Sequence, residues 1–387
     1  MPKFDISNSQ FAKMWAGGEG RAIVEAIINN PDLIRANHMF WAEKFRIDPQ
    51  ITPTNQEGAA VFISKMREIQ NGELMSVRAP LGDSVPEDRK GVKYYSGVIP
   101  ELISRGTVET AVEREYKRQL FDQFGDAALI AAYATDVLQS KLDGANQTLS
   151  HFAAQLLSTG KIVYKQGYSA ESNIIKAEIP VENFITAGAE IWTNTDAKLL
   201  DQIRKIYTDA KERFGLDMAM QLEVPRALFN EAFLKNKQVI EWVRYVGTIN
   251  NTPLPETAVM TEDMVMNAVV KFEGLPKIVI VEEKQNDVLN GTVHGWAEGI
   301  AVLRPVGYAG YMRHTNIADT RLLTPEYTNP ANTYSFASAL NGLAVVRNSV
   351  IVNGNFKEWH TDLVLAAVPS LDEFLYHIII DTTEADA

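Results

Sequence analysis

The sequence predicts an α+β protein organised around one very long helix, and three observations carry that reading. Residues 126–159 place apolar side chains at steps of four and three throughout, from Ile130 through Ala134, Leu138, Leu142, Ala145, Leu149 and Phe152 to Leu156. That spacing marks one face of a single helix. From near Trp192, helix-like runs alternate with strand-like ones, the pattern of a mixed α/β unit of roughly 150 residues. Runs rich in β-branched residues at 59–66, 91–100 and 342–370 read as strands outside both.

From the amino terminus, residues 1–55 hold a helical pattern in Ile23, Val24, Ala26, Ile27 and Ile28, then Leu33, Ile34 and Phe40. Pro31 interrupts it, and "IDPQITPTNQEG" follows as an extended connector. This is a poor start for a compact domain and predicts an arm lying on something else. The strands "AAVFISKM" and "GVKYYSGVIP" flank a charged, turn-rich stretch from Arg67 to Lys90. A coreless loop of that length is uncommon in compact domains and usually functional. It predicts a two-stranded excursion over 56–100, anchored on a neighbouring subunit.

Residues 108–124 form a charged helix that Gly125 stops. The long helix comes next, about 50 Å at the α-helical rise, with Gly144 as its weak point. Its single stripe predicts a spine laid across a sheet. It ends in "LSTGKIVY", where a Gly-Lys pair invites comparison with a phosphate-binding loop. The spacing rejects that: Gln155 stands where the first glycine belongs, Ile162 where Ser or Thr belongs, and helix precedes strand. Gly160 is a helix stop, and Lys161 suits the negative end of the helix dipole.

The strands "KIVYKQ" and "NIIKAEIP" predict a hairpin across "GYSAES". A second unit opens near Trp192, with a helix capped at Asn194 or Thr195, striped by Leu199, Ile203, Ile206, Ala210 and Phe214, and stopped by Gly215. "MAMQLEVP" is a strand, Pro225 opens the helix "PRALFNEAFLKN", and 261–273 is helical. Strands follow at 277–284 and 299–307, then in "GLAVVRNSVIVNGNF", "TDLVLAAVPS" and "EFLYHIIIDTT".

Composition narrows the function. With 46% hydrophobic and 22% charged residues, the 387-residue chain can bury large cores. It has no apolar run near the ~20 residues of a membrane span, no secretory signal pattern and no cysteine, which excludes disulfides and thiolate chemistry. A net charge of −12 without a basic stripe argues against a dedicated nucleic-acid binder.

Chemistry is not legible. The histidines are His38, His151, His294, His314, His360 and His377; none pairs at metal-ligand spacing, and HExxH is absent. "AGGEGRAI" has Ile23 where a dinucleotide fingerprint needs its last glycine. No GxSxG occurs. Glu282 and Glu283 read as a solvated strand end, and Trp296 as a residue packed under a loop. The expected catalytic, cofactor-binding and metal residues are therefore none, with no cofactor. The chain reads as structural rather than enzymatic.

The order of parts resembles the major capsid proteins of tailed bacteriophages, in particular the lambda-type capsid protein E family. "QTLSHFAAQLLSTGKIVY" resembles that family's spine-helix ending, and "AEIWTNTDAKLLDQIRKIYTDAKERFG" its Trp followed by an acidic helix. "LEVPRALFNEAFLKNKQVIEWV", "LPKIVIVEEKQ" and "GIAVLRPVGYAGYM" are similar to the segments that follow. The likeness covers most of residues 55–385 through short motifs. It implies a tailed-phage capsid fold with an N-terminal arm at 1–55, an extended hairpin loop at 56–100 and a peripheral domain with the spine helix at 101–191. An axial domain at 192–345 and C-terminal strands at 346–387 returning to the peripheral domain complete it.

The resemblance implies a homo-oligomer of pentamers and hexamers forming an icosahedral shell around DNA in the virion, made in the host bacterial cytoplasm. Its implied partners are scaffold, portal and decoration proteins, with no membrane. A chain beginning at Met1 suggests a separate scaffold or none. Some members crosslink through a Lys of the extended loop and an Asn of the peripheral domain; Lys90, Lys93 and Asn353 occupy comparable regions without local support. The alternatives are an encapsulin-like compartment, which shares the fold and differs in cargo, and an α/β enzyme with an oligomerisation arm.

Overall fold

The computed structural model describes residues 39–53, 60–67, 92–104, 107–108, 111–125, 132, 138–165, 172–214, 218–250, 253–256, 258–283, 285–287, 291–316, 334–340, 343–353 and 356–385. It is α+β. Two compact units interleave along the chain: Met1–Phe62, Gly97–Ser150 and Met312–Pro369 make the first, and Ile63–Ser96, His151–Tyr311 and Ser370–Ala387 the second.

In the first unit, strands Tyr334–Ala339, Ala344–Asn353 and Phe356–Leu365 form an antiparallel meander. The short strands Leu102–Ile103 and Thr107–Val108 both pair with its last strand. The expected arm is corrected here for its final residues. A helical turn at Phe40–Lys44 and the strand Phe45–Ile51 bury Phe40, Trp41 and Phe45, all under 5% exposed, within the unit. Trp41 Nε1 donates to Asn146 Oδ1 at 2.8 Å, and His314 Nε2 bonds the Asp48 carbonyl at 2.8 Å. Closely spaced aromatics leading into an extended run were the available signal. The helical pattern at 21–38, the tip from Glu68 to Lys90 and the long helix's first turns lie outside the described residues, Ala132 apart.

The charged helix spans Ala111–Phe124 and ends at Gly125, whose φ is +75°. The spine helix is described over Gln139–Thr159, 21 residues. The stripe residues Leu138, Leu142, Ala145, Leu149, Phe152 and Leu156 are all buried, as the spacing requires. A one-striped helix was expected; instead burial extends round it to Lys141, Asn146, Ala153, Ala154, Leu157 and Ser158. Of the buried polar groups on this helix, Asn146 and Ser158 are bonded, the condition for placing them inside, whereas the buried Ser150 hydroxyl has no partner among the described residues. Ser158 Oγ, for instance, donates to Ala154 O at 2.8 Å and accepts from Ala297 N at 3.0 Å. Gly160 closes the helix as expected: φ is +69°, its N–H donates to Leu156 O at 2.9 Å, and an added Cβ would meet Ile179 at 2.9 Å. The predicted hairpin follows as Lys161–Lys165 and Ser172–Lys176.

The second unit's core surrounds a five-stranded sheet. Its order is Lys277–Val281, Met220–Pro225, Ile300–Pro305, Ile378–Asp381, Phe184–Thr186. The outer pairs are parallel and the inner ones antiparallel. Helices Leu199–Phe214, Lys237–Ile249 and Glu262–Val269 contribute to the same core, with Trp192 fully buried and its Nε1 donating to Ala187 O at 3.1 Å.

Two local expectations are corrected. The first of these helices starts at Leu199, because Asn194 closes a turn instead, accepting from Asp196 N at 3.0 Å. The orphan N–H of Leu200 is satisfied by Gln238 Oε1 at 2.8 Å, from the next helix. The helix opened by Pro225 is one α-turn, Arg226–Leu228, running into a π-helical turn, Phe229–Phe233, where Phe229 stacks on Phe233 with centroids 4.9 Å apart.

Candidate interaction surface

No group of three or more His, Asp or Glu side chains among the described residues could hold a metal ion. His151 bonds its helix neighbour Gln155 at 3.0 Å; His294 bonds the Glu283 carbonyl at 2.7 Å. His38 and Lys90 lie outside the described residues, Lys93 is an exposed strand residue, and Asn353 pairs in register with Phe356. Trp296 is packed as expected, 5% exposed, its Nε1 donating to Ile300 O at 2.9 Å.

Glu283 is not the solvated strand end that its neighbours suggest. Its side chain is buried and accepts from Gly295 N at 2.9 Å and Trp296 N at 3.3 Å. It fixes a loop whose Gly295 lies so close to the spine helix that a Cβ would meet His151 O at 2.6 Å.

The charged groups that the sequence concealed are in the central sheet. Glu223 faces Val302 across one ladder, and Arg304 faces Gln221 two residues on, so the charges are diagonal neighbours on one face. Arg304 Nη2 meets Glu223 Oε1 at 2.8 Å with the side chains 3% and 0% exposed. Gln221 Nε2 also donates to Glu223 Oε1, and Arg304 Nη1 donates to the Gly307 carbonyl, each at 2.8 Å. A lone charge inside "MQLEVP" and another inside "AVLRPV" was the available signal, since a charge in an apolar strand needs a partner.

His377 completes this interior. Burial pushes its imidazole down from 6.5 to about 4, with Arg304 acting in the same direction and the bond to Leu157 O, 2.7 Å, and Glu223 opposing. Native His377 therefore stays neutral where the unfolded chain takes up a proton. Stability is expected to be full above pH 6.5 and to fall towards pH 4, by roughly 3 kcal/mol, then to level off. Urea melts at pH 7, 5.5 and 4 check this; His377→Asn should remove most of the slope.

Surface organisation is more telling than these interior groups. Strands Ala60–Arg67 and Val92–Ile99 form a two-stranded ribbon. Alternation along a strand sends successive side chains to opposite faces. One face, with Phe62, Ser64, Tyr95 and Ile99, is buried. Ser64 Oγ donates to Leu371 O at 2.8 Å, Leu371 N donates to the Tyr95 hydroxyl at 2.6 Å, and Tyr95 meets Phe374 edge-on. The opposite face exposes Val61, Ile63, Val92, Tyr94 and Val98, with Tyr94 at 68%. A ribbon held on one side and exposing these apolar side chains, with Lys65 and Ser96, on the other is a candidate interaction surface.

No protein-family model matches the chain, and no curated protein does. Solved structures match. The assigned capsid protein of a prophage of E. coli CFT073 is similar at a TM-score of 0.51 and 12% identity, over 97% of this chain and 98% of that one. A phage-related protein from Bordetella bronchiseptica RB50 gives 0.46 at 13% identity, over 93% and 96%, and a capsid chain of cyanophage A-1(L) 0.43 at 11%, over 89% and 93%. At such identity the likeness is one of fold: the chain has the α+β phage capsid fold.

Proposed function

We propose that this chain is a major capsid protein that self-assembles into the icosahedral head shell of a tailed phage, enclosing its double-stranded DNA. The observation that carries this is the fold likeness to a prophage capsid protein along 97% of the chain. The ribbon supports it, since its exposed apolar face has no use in an isolated subunit but is covered in a closed homo-oligomer. On this reading the role is structural. The ribbon is the base of the extended loop, the central-sheet unit supplies the axial domain, and subunits meet as pentamers and hexamers in the virion. No helix among the described residues is long and apolar enough to cross a membrane.

Electron microscopy of the purified protein tests this: closed shells are expected, and discrete small oligomers at all concentrations would overturn it. Shells filled with a cellular enzyme instead of DNA would indicate a compartment protein. Replacing residues 68–89 with a short Gly-Ser turn is expected to leave the circular dichroism spectrum intact and abolish shell formation.

A further inference from the structure

The hairpin after the spine helix carries a face that the shell reading does not explain. Its register sets Lys161 opposite Lys176, Val163 opposite Ile174 and Lys165 opposite Ser172. The alternating positions Ile162 and Ile175 are buried and hold the other face in the second unit. Lys161 and Lys176 are exposed, and among the described residues neither makes an ion pair. Ile174, two residues from Lys176 on the same face and opposite Val163, is 61% exposed. No carboxylate occurs in either strand; Glu178, exposed and two positions past Lys176, is the closest in sequence among the described residues.

Like charges directly opposite on a ladder destabilise it. The arrangement is the more unexpected in a chain where 49 acidic residues outnumber 37 basic ones. A surface that costs the subunit stability needs a complement, and the complement of a lysine pair beside an exposed isoleucine is carboxylates beside an apolar side chain. We propose that this hairpin face docks an acidic, apolar-centred surface of a second copy of the chain. Copies carrying −12 each repel one another unless acidic surfaces meet faces of this kind. Duplex DNA fits less well. A phosphate backbone offers Ile174 nothing to bury against, and so few lysines release too few counterions to hold a duplex at physiological salt.

The identity of the second copy rests on the shell reading, and two variants separate the ideas. Lys176→Glu turns the like-charged pair into an opposite one; K161E/K176E restores like charges with inverted sign. For K176E the thermal midpoint is expected to stay or rise while association between copies, read by sedimentation velocity and electron microscopy, is lost. The double variant is expected to lose association as well. In wild type, association should weaken as salt rises. If wild type and both variants form shells equally, the docking is overturned and the shell reading stands. If wild type forms only a smaller oligomer that the variants lose, the shell reading fails and the docking stands. Binding of a labelled 30-base-pair duplex that both variants abolish, with association unchanged, would overturn the docking in favour of nucleic acid.

Discussion

Alanine at Arg304 is expected to cost about 3–5 kcal/mol, because the substitution leaves the Glu223 carboxylate buried beside a missing counter-charge. Glu223 is 0% exposed, so water cannot take the guanidinium's place. The loss also frees the Gly307 carbonyl, whose glycine, at φ +122°, turns the chain back to meet Arg304. Urea denaturation followed by tryptophan fluorescence reads this, since Trp192 lies in the same core. Replacing both charges with apolar residues, E223L/R304M, should recover most of the stability, as exchanging a buried pair for well-packed hydrophobes often does. A double variant as unstable as the single one would show that the pair's own bonds, rather than an orphaned charge, set the cost.

Gly310→Ala is expected to be almost as severe. An added Cβ would stand 1.9 Å from the Ser370 carbonyl oxygen and 2.9 Å from Asp372 N. Both contacts are backbone, so no side chain can swing aside, and the strands Gly310–His314 and Ala367–Leu371 must separate. Overpacking of this kind costs about 3 kcal/mol or more. For a chain of this length that corresponds to a fall in melting temperature of roughly 4 °C. The same segment, through Leu371 and Asp372, holds Ser64 of the ribbon, so the ribbon's anchorage should weaken along with stability. A melting temperature within a degree of wild type would rule out the close approach.

The sequence made legible what depends on local spacing. The spine stripe from Leu138 to Leu156 shows in its steps of three and four, because a helix that buries one face repeats it. Gly160 shows because a positive φ beside a strand start has few other uses. What stayed hidden depends on partners distant along the chain. The start of the helix at Leu199 is set by Gln238, and nothing near Asn194 announces that its side chain is already engaged. Helix Lys237–Ile249, capped by Asn236, directly continues "PRALFNEAFLKN", so local spacing does not mark it off as a separate element. The Glu223–Arg304 pair needs the ladder register before either charge makes sense. Lys161 facing Lys176 is invisible for the same reason, since a connector at 166–171 leaves several registers open. The two ribbon strands were thus legible as strands, but the side chains on each of their faces were not.

The interleaving of the two units has a consequence for how the protein is made. The chain passes from one unit to the other at 62/63, 96/97, 150/151, 311/312 and 369/370, so neither unit is encoded by one contiguous stretch. The strand Ile378–Asp381 lies inside the central sheet, between Ile300–Pro305 and Phe184–Thr186. Until the ribosome has passed Asp381, that sheet has a gap and two raw edges. Translation at about 5–20 residues per second leaves Phe184–Thr186 waiting on the order of ten seconds or more for its neighbour. Such distant pairings also slow the folding search itself. A nascent chain therefore cannot finish this core before residues 378–381 have emerged. The central sheet closes only once this late strand arrives, so truncation before Ile378 leaves the second unit's core incomplete.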